Sequence, residues 1–122
     1  MRRVDYVIVY VEDLDRSVAF YRDLVGLELR FQEPSYAEFV TEGTRFALFP
    51  RANLTELLGR PGGAGPTAEV AFLVDDVDAE AARLRAAGAT ILSGPVDRPW
   101  RQRTLHLADP DGFVVELAQD LG

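Results

Sequence analysis

Three side chains on apolar segments of this sequence have the types needed for acid–base chemistry: Glu69, His106 and Glu116. His106 is the only histidine of the chain, and histidine is the side-chain type that ordinarily titrates nearest neutral pH. Two carboxylates held in an apolar site can differ in proton affinity and so divide the acid and base roles. These three residues are therefore our candidates for proton transfer.

Each candidate also has a structural alternative. Glu69 or Glu116 can be a rim carboxylate paired with Arg103 or another arginine, because ion pairs are the commoner fate of such residues. His106 can be a hydrogen-bonded strand histidine. Trp100 can anchor a loop, whereas an aromatic ring beside a cavity would stack on a flat or cationic ligand.

The composition excludes several kinds of chemistry. The 122 residues include no cysteine, which rules out disulfides, thiolate nucleophiles and zinc–thiolate sites. All 13 basic residues are arginine, so no lysine is present for Schiff-base chemistry. A single histidine cannot build a multi-histidine metal centre within one chain.

The charge balance bears on the partners. A net charge of −7 argues against nucleic acid or an anionic membrane, and it mildly favours a cationic ligand. The sequence shows neither the apolar stretch of a signal peptide nor a run long enough to span a bilayer. We therefore expect a cytoplasmic protein whose partner is a small molecule.

The organisation of the chain follows from an internal repeat. The segment from Val7 to Asp15 recurs from Val70 to Asp78, each time as an apolar run, an acidic turn and a helix-like stretch that ends at a glycine. This spacing is too long for a solenoid repeat and too short for an independent domain. We expect a single domain over residues 1–122, built from module 1 (about residues 1–50), a linker (about 51–67) and module 2 (about 68–120).

The local patterns predict the same element order, β-α-β-β-β, in both modules. In module 1 the predicted elements are strand Tyr6 to Val11, a helix from an Asp13 or Asp15 cap to Gly26, and strands Leu27 to Phe31, Tyr36 to Val40 and Arg45 to Phe49. A short helical turn is predicted from Asn53 to Gly59. In module 2 they are strand Ala68 to Val74, helix Ala79 to Ala87, and strands Thr90 to Leu92, Gln102 to Leu107 and Phe113 to Ala118.

The motifs that carry a family resemblance are Val11-Glu12-Asp13-Leu14 with Ser17-Val18-Ala19-Phe20-Tyr21, and Pro99-Trp100-Arg101-Gln102-Arg103 with Asp109-Pro110-Asp111-Gly112. In their order the chain resembles the vicinal oxygen chelate superfamily, which includes glyoxalase I, extradiol dioxygenases and bleomycin-resistance proteins. The resemblance implies an α+β fold in which two tandem modules curl mixed sheets into cups. It also implies a homodimer, because the family usually closes its cups by pairing modules across subunits.

The resemblance also assigns four metal-ligand positions, which fall at Tyr6, Ala47, Glu69 and Glu116. Only Glu116 keeps the residue type that the family has there. Two carboxylates and a tyrosine make a poor site for a first-row metal. We therefore expect no metal and no cofactor.

Strand alternation sorts the side chains of the cup under this fold. It directs Glu69, His106 and Glu116 inward, with Tyr6 and Tyr10 from the first strand. The expected ligand-binding residues are Tyr6, Tyr10, Glu69, Trp100, Arg103, His106 and Glu116.

Three functions remain in order of preference. The first is a metal-free binding protein, similar to the bleomycin-resistance branch, that sequesters a planar or cationic natural product without transforming it. The second is a metal-independent isomerase, cyclase or lyase that uses Glu69, Glu116 or His106. The third is a glyoxalase- or dioxygenase-type metal enzyme.

Overall fold

The computed structural model describes residues 4, 6–58 and 68–122. The chain divides into two compact units, residues 1–64 and 65–122, which contain modules 1 and 2. Each is described by itself. Most of the predicted linker, including Gly59, lies outside the described residues.

Module 1 contains four strands and two short helices. Their bounds are β1 Tyr6–Val11, α1 Leu14–Ala19 followed by a π-helical turn Phe20–Val25, β2 Glu28–Glu33, β3 Tyr36–Val40, β4 Arg45–Pro50, a 3₁₀ turn Arg51–Asn53 and α2 Leu54–Leu58. Asp13 caps α1, because its carboxylate accepts a hydrogen bond from the Arg16 amide at 3.0 Å. Gly26 ends the π-helical turn with a φ of 92°.

Module 2 repeats this arrangement. Its elements are β5 Glu69–Leu73, α3 Val77–Ala86, β6 Thr90–Arg98, β7 Gln102–Ala108 and β8 Val114–Asp120. Asp76 caps α3 as Asp13 caps α1, by accepting a hydrogen bond from the Ala79 amide at 3.1 Å. The two aspartates are equivalent in the repeat.

The two sheets share one topology. The strand order is β1-β4-β3-β2 in module 1 and β5-β8-β7-β6 in module 2. In both sheets the first strand pairs in parallel with the fourth, and the other pairs are antiparallel. The predicted α+β fold with two β-α-β-β-β modules is confirmed.

The prediction for β6 is wrong in length. The strand was expected to end at Leu92, but it continues to Arg98. It does so through irregular pairing, with register shifts against β7 between Ile91 and Ser93 and between Ser93 and Val96. Most other boundaries differ from the predicted ones by one or two residues.

Each sheet packs one face against its helix and leaves the other, here called the open face, uncovered by that helix. The helix side carries the buried core. It consists of Val9, Val11, Tyr21, Phe39, Phe46 and Leu48 in module 1, and Leu84, Leu105, Leu107, Val115 and Leu117 in module 2. Within the described ranges, no helix is both long and apolar enough to cross a membrane.

Candidate functional site

The candidate site lies on the open face of module 2, where three adjacent strands carry Glu69, His106 and Glu116. His106 of β7 is directly opposite Glu116 of β8 in the antiparallel ladder. Glu69 of β5 is opposite Val114, so it is the diagonal neighbour of Glu116. Because the side chains of a strand alternate, this register directs all three to one face.

The three side chains meet at the imidazole of His106. Its Nε2 atom lies 3.3 Å from Oε1 of Glu116 and 3.5 Å from Oε2 of Glu69. One ligand atom from each residue lies within 4.8 Å of the others. The side chains of Glu116 and His106 are 13% and 19% exposed, whereas that of Glu69 is 48% exposed, so solvent reaches the cluster on the Glu69 side.

No arginine in the described part of the chain pairs with the two carboxylates of this cluster. Among the residues that the structure describes, the only ion-pair partner of Glu69 and of Glu116 is His106. The structural alternative, a rim ion pair with Arg103, is not formed. The cluster therefore concentrates negative charge on a partly buried surface.

Arg103 was expected at the ligand site, and the structure does not bring it there. It neighbours Thr104 in β7 and so points to the helix side, where its guanidinium contacts Asp78 and Asp97 at 3.0 Å each. Hydrogen bonds to Asp78 and then to Asp97 raise the pKa of Arg103. The alternation that directs His106 to the open face necessarily directs Arg103 away from it.

Trp100 lies in the turn between β6 and β7 with 61% of its surface exposed. Its indole N–H donates a hydrogen bond to Oε1 of Gln102 at 3.1 Å. On the open face below this turn, Arg98 donates a hydrogen bond to the buried hydroxyl of Thr104 at 3.0 Å. Trp100 is available to a ligand, but no contact joins it to the carboxylate cluster.

The two predicted tyrosines belong to module 1. Tyr6 and Tyr10 lie on its open face, 39% and 40% exposed. The Tyr6 hydroxyl accepts a hydrogen bond from Nη1 of Arg45 at 2.7 Å, and the Arg45 guanidinium lies 5.2 Å from the centre of the Tyr6 ring. The Arg51 guanidinium likewise lies 6.0 Å from the centre of the Tyr10 ring.

Module 1 also contains a polar group that the sequence interpretation missed. Glu38 is only 3% exposed, accepts a hydrogen bond from the Tyr36 hydroxyl at 2.7 Å and contacts Nε of Arg30 at 3.2 Å. Burial, followed by the hydrogen bond to Glu38, raises the pKa of Tyr36. These residues border a cavity of about 550 Å³ lined by Tyr6, Arg30, Phe31, Glu33, Tyr36, Glu38 and Arg45. The sequence could have revealed this group, because Tyr36, Glu38 and Val40 alternate along β3 and so share one face of the sheet.

The fold agrees with the family comparison. The model of the Glyoxalase/Bleomycin resistance protein/Dioxygenase superfamily matches residues 3–117. This chain belongs to that superfamily. The predicted vicinal oxygen chelate membership is thereby confirmed.

Two relatives are similar to this chain over most of their length. The uncharacterized protein YraH of Bacillus subtilis is 32% identical over 115 residues, covering 88% of this chain and 90% of YraH. A protein of Vibrio parahaemolyticus named probable lactoylglutathione lyase is 31% identical over 134 residues, covering 97% and 91% respectively.

A solved structure of the superfamily gives the same result for the fold. The glyoxalase-related enzyme of Fulvimarina pelagi superposes with a TM-score of 0.85 at 26% identity, covering 98% of this chain and 89% of that protein. The superfamily uses one scaffold for many activities. The function therefore has to be argued from the site of this chain.

The four metal-ligand positions of the superfamily do not fit a metal centre in this chain. Ala47 has no donor atom, and the Tyr6 hydroxyl is already hydrogen-bonded to Arg45. Glu69 and Glu116 alone supply carboxylate oxygens. A four-donor centre of the family type is therefore not formed by the residues at these positions.

Proposed function

We propose that this chain is a small-molecule-binding member of the superfamily that takes the cationic group of its ligand between Glu69 and Glu116. The observation that carries the proposal is the pair of carboxylates on the open face of module 2 with His106 as their only ion-pair partner among the described residues. A cationic group placed there would supply the positive charge that no arginine of the described residues provides. The ligand class that fits is a planar or cationic natural product.

The surroundings of the cluster support binding by an amphipathic cation. Ala71 and the 71% exposed Leu73 follow Glu69 on the same face of β5, and Val114 precedes Glu116 on β8. Apolar neighbours bind the body of a flat ligand and keep water away from the charged contact, which strengthens it. Binding by such a face requires no chemical step.

The test starts with a thermal-shift screen of cationic aromatic compounds against the untagged protein, with and without divalent metals. Calorimetry on a binding compound then compares the wild type with Glu69→Gln and Glu116→Gln. A partly desolvated charged contact contributes about 1.5–3 kcal/mol, against roughly 0–1 for an exposed pair. Each substitution should therefore weaken binding about tenfold or more.

The matched control is Glu80→Gln, which removes the same charge from an exposed helical pair with Arg83. Its affinity should equal that of the wild type. Unchanged affinity in both Glu69→Gln and Glu116→Gln would remove the carboxylates from the site and contradict the proposal.

A metal-independent lyase or isomerase is the second candidate function. It is favoured by the position of the His106 imidazole between two carboxylates, which can hold the ring in one orientation for proton transfer. The name of the Vibrio relative suggests S-lactoylglutathione as the first probe. Turnover that His106→Gln abolishes while ligand binding persists would establish this function over simple sequestration.

A further inference from the structure

The cavity on module 1 differs in chemistry from the carboxylate cluster on module 2. Arg30 and Arg45 border it together with the rings of Tyr6, Phe31 and Tyr36. We infer that this cavity binds an aromatic organic acid, whose carboxylate contacts the two guanidiniums while its ring lies against the aromatic side chains. Because this ligand group has the opposite charge from the one proposed for module 2, the site is independent of the proposed function.

Glu38 is the buried acidic residue of the cavity, and its charge is compensated within module 1. Its Oε1 atom accepts a hydrogen bond from the Tyr36 hydroxyl at 2.7 Å, and its Oε2 atom lies 3.2 Å from Nε of Arg30. Burial, followed by the hydrogen bond to Glu38, raises the pKa of Tyr36. Tyr36 therefore stays protonated at neutral pH and adds no second negative charge beside the ligand.

Arg30 retains donors for a ligand after it has paired with Glu38. A guanidinium carries N–H donors on three nitrogens, and the ion pair with Glu38 uses the Nε side. Within the described ranges, Glu38 is the only ion-pair partner of Arg30, and the Arg30 side chain is 49% exposed. The buried carboxylate thus holds Arg30 in place, and the terminal nitrogens can contact an anion.

Arg45 is positioned by an aromatic side chain. Its Nη1 atom donates a hydrogen bond to the Tyr6 hydroxyl at 2.7 Å, and its guanidinium lies 5.2 Å from the centre of the Tyr6 ring. The acceptor in this contact is a hydroxyl group rather than a carboxylate, so the contact orients the guanidinium without cancelling its charge. Planar guanidiniums match the geometry of a carboxylate, which favours an organic acid over other anions.

The aromatic side chains supply the apolar part of the site. The Phe31 and Tyr36 rings lie 5.6 Å apart at an angle of 36°. Phe31 and Tyr6 are 40% and 39% exposed, so both can contact a ligand. Ligand sites commonly combine such apolar walls with a few polar groups that fix the orientation of the ligand. This combination favours a planar aromatic acid over a small inorganic anion.

Glu33 is the second acidic residue that borders the cavity, and it lies on the exposed part of β2. Its charge opposes an anion but is screened by solvent and salt. The contacts with the arginines are direct and therefore outweigh this repulsion. Neutralising Glu33 should thus strengthen the binding of an anion, which gives the inference a signed test.

The experiment is calorimetry on the untagged full chain with 1-naphthoate and its uncharged counterpart 1-naphthamide. We expect naphthoate to bind, and naphthamide to bind at least about tenfold more weakly, because it lacks the charged contact. Arg45→Gln, at an exposed position that the fold tolerates, should weaken naphthoate binding about tenfold. Glu33→Gln should leave naphthoate binding intact or strengthen it.

The matched control is Arg83→Gln, which removes the same charge from an exposed helical pair with Glu80 and should leave naphthoate affinity unchanged. Absence of naphthoate binding, equal affinity for naphthoate and naphthamide, or unchanged affinity in Arg45→Gln would overturn the inference. Weaker binding in Glu33→Gln would also overturn it, because the site would then prefer a cationic group. The proposed function is tested separately by cationic compounds and Glu116→Gln, so either result can fail while the other stands.

Discussion

His106 of β7 and Glu38 of β3 occupy equivalent positions in the two modules. Each lies on the open face of the third strand of its module, opposite a residue of the fourth strand that aligns in the repeat, Glu116 or Ala47. In module 1 the Glu38 carboxylate is paired with Arg30 and with the Tyr36 hydroxyl, whereas in module 2 His106 lies between the carboxylates of Glu69 and Glu116. The duplicated scaffold has therefore acquired two different electrostatic environments.

The environment of Glu38 gives the first prediction. Tyr36→Phe removes the 2.7 Å hydrogen bond to a carboxylate that is 3% exposed. Because a buried carboxylate that loses a partner is costly, the free energy of unfolding should fall by about 1–3 kcal/mol, measured by chemical denaturation at neutral pH. The control is Tyr10→Phe, at an exposed ring, which should change stability little.

The pH dependence of this effect has a definite sign. The pKa of Tyr36 is raised in the folded state by burial and then by Glu38, so its stabilising contribution is complete below the unfolded-state value of about 10. Above that value the unfolded chain releases a proton that the folded chain retains, and the contribution declines until the folded pKa is passed. The stability difference between wild type and Tyr36→Phe should thus be constant from pH 7 to about 9 and shrink at higher pH. A difference that grows there would contradict this account.

Strand alternation was sufficient to predict which residues share the face of the site, because it depends only on local geometry. It placed Glu69, His106 and Glu116 together correctly once the fold was recognised. Arg103 was assigned to the site against the same rule, since its neighbour Thr104 occupies the open face. Distances could not be predicted, because they depend on the register between β5, β8 and β7.

The course of β6 was the least predictable part of the fold. Gly94 and Pro95 locally favour a turn, whereas pairing with β7 keeps them within an irregular strand. Tertiary pairing thus overrides the local preference. The buried ion pair of Glu38 with Arg30 could not be predicted for another reason. Arg30 lies at the register shift of β2 between Leu29 and Phe31, and such an irregularity is not visible in the sequence.

Gly94 provides the second prediction. It has a φ of 92°, and a Cβ atom there would collide with the backbone carbonyl oxygen of Thr104. Gly88 has a φ of 82° but open space around it, so Gly88→Ala carries only the conformational cost of about 1–2 kcal/mol. Gly94→Ala should lose a further 1–3 kcal/mol, roughly, through overpacking. Equal losses in thermal or chemical denaturation would show that the close approach to β7 is absent.

Arg103 provides the third prediction. Arg103→Gln removes the contacts with Asp78 and Asp97 on the helix side of module 2. It should lower stability slightly, because these are exposed pairs, and it should leave ligand affinity unchanged. Calorimetry with the compound used for Glu116→Gln checks this. A fall in affinity comparable to that of Glu116→Gln would place Arg103 in the site after all.

The last prediction is the homodimer. Each sheet ends in edge strands, β1 and β2 in module 1 and β5 and β6 in module 2, and unpaired edges favour association. The open faces also expose large apolar side chains, with Ile8 46% and Leu73 71% exposed. Burying such side chains against a second copy of the chain would stabilise a symmetric dimer.

Light scattering at micromolar concentration should therefore give roughly twice the 13.5 kDa chain mass. A charge introduced by Leu73→Arg should shift the protein toward the monomer, because an unpaired charge is costly to bury in an apolar contact. Ala82→Arg adds the same charge at an exposed position of α3 and should leave the dimer intact. A monomeric wild type at all concentrations would exclude the dimer, and a dimer that survives both Leu73→Arg and Ile8→Arg would place its interface away from the open faces.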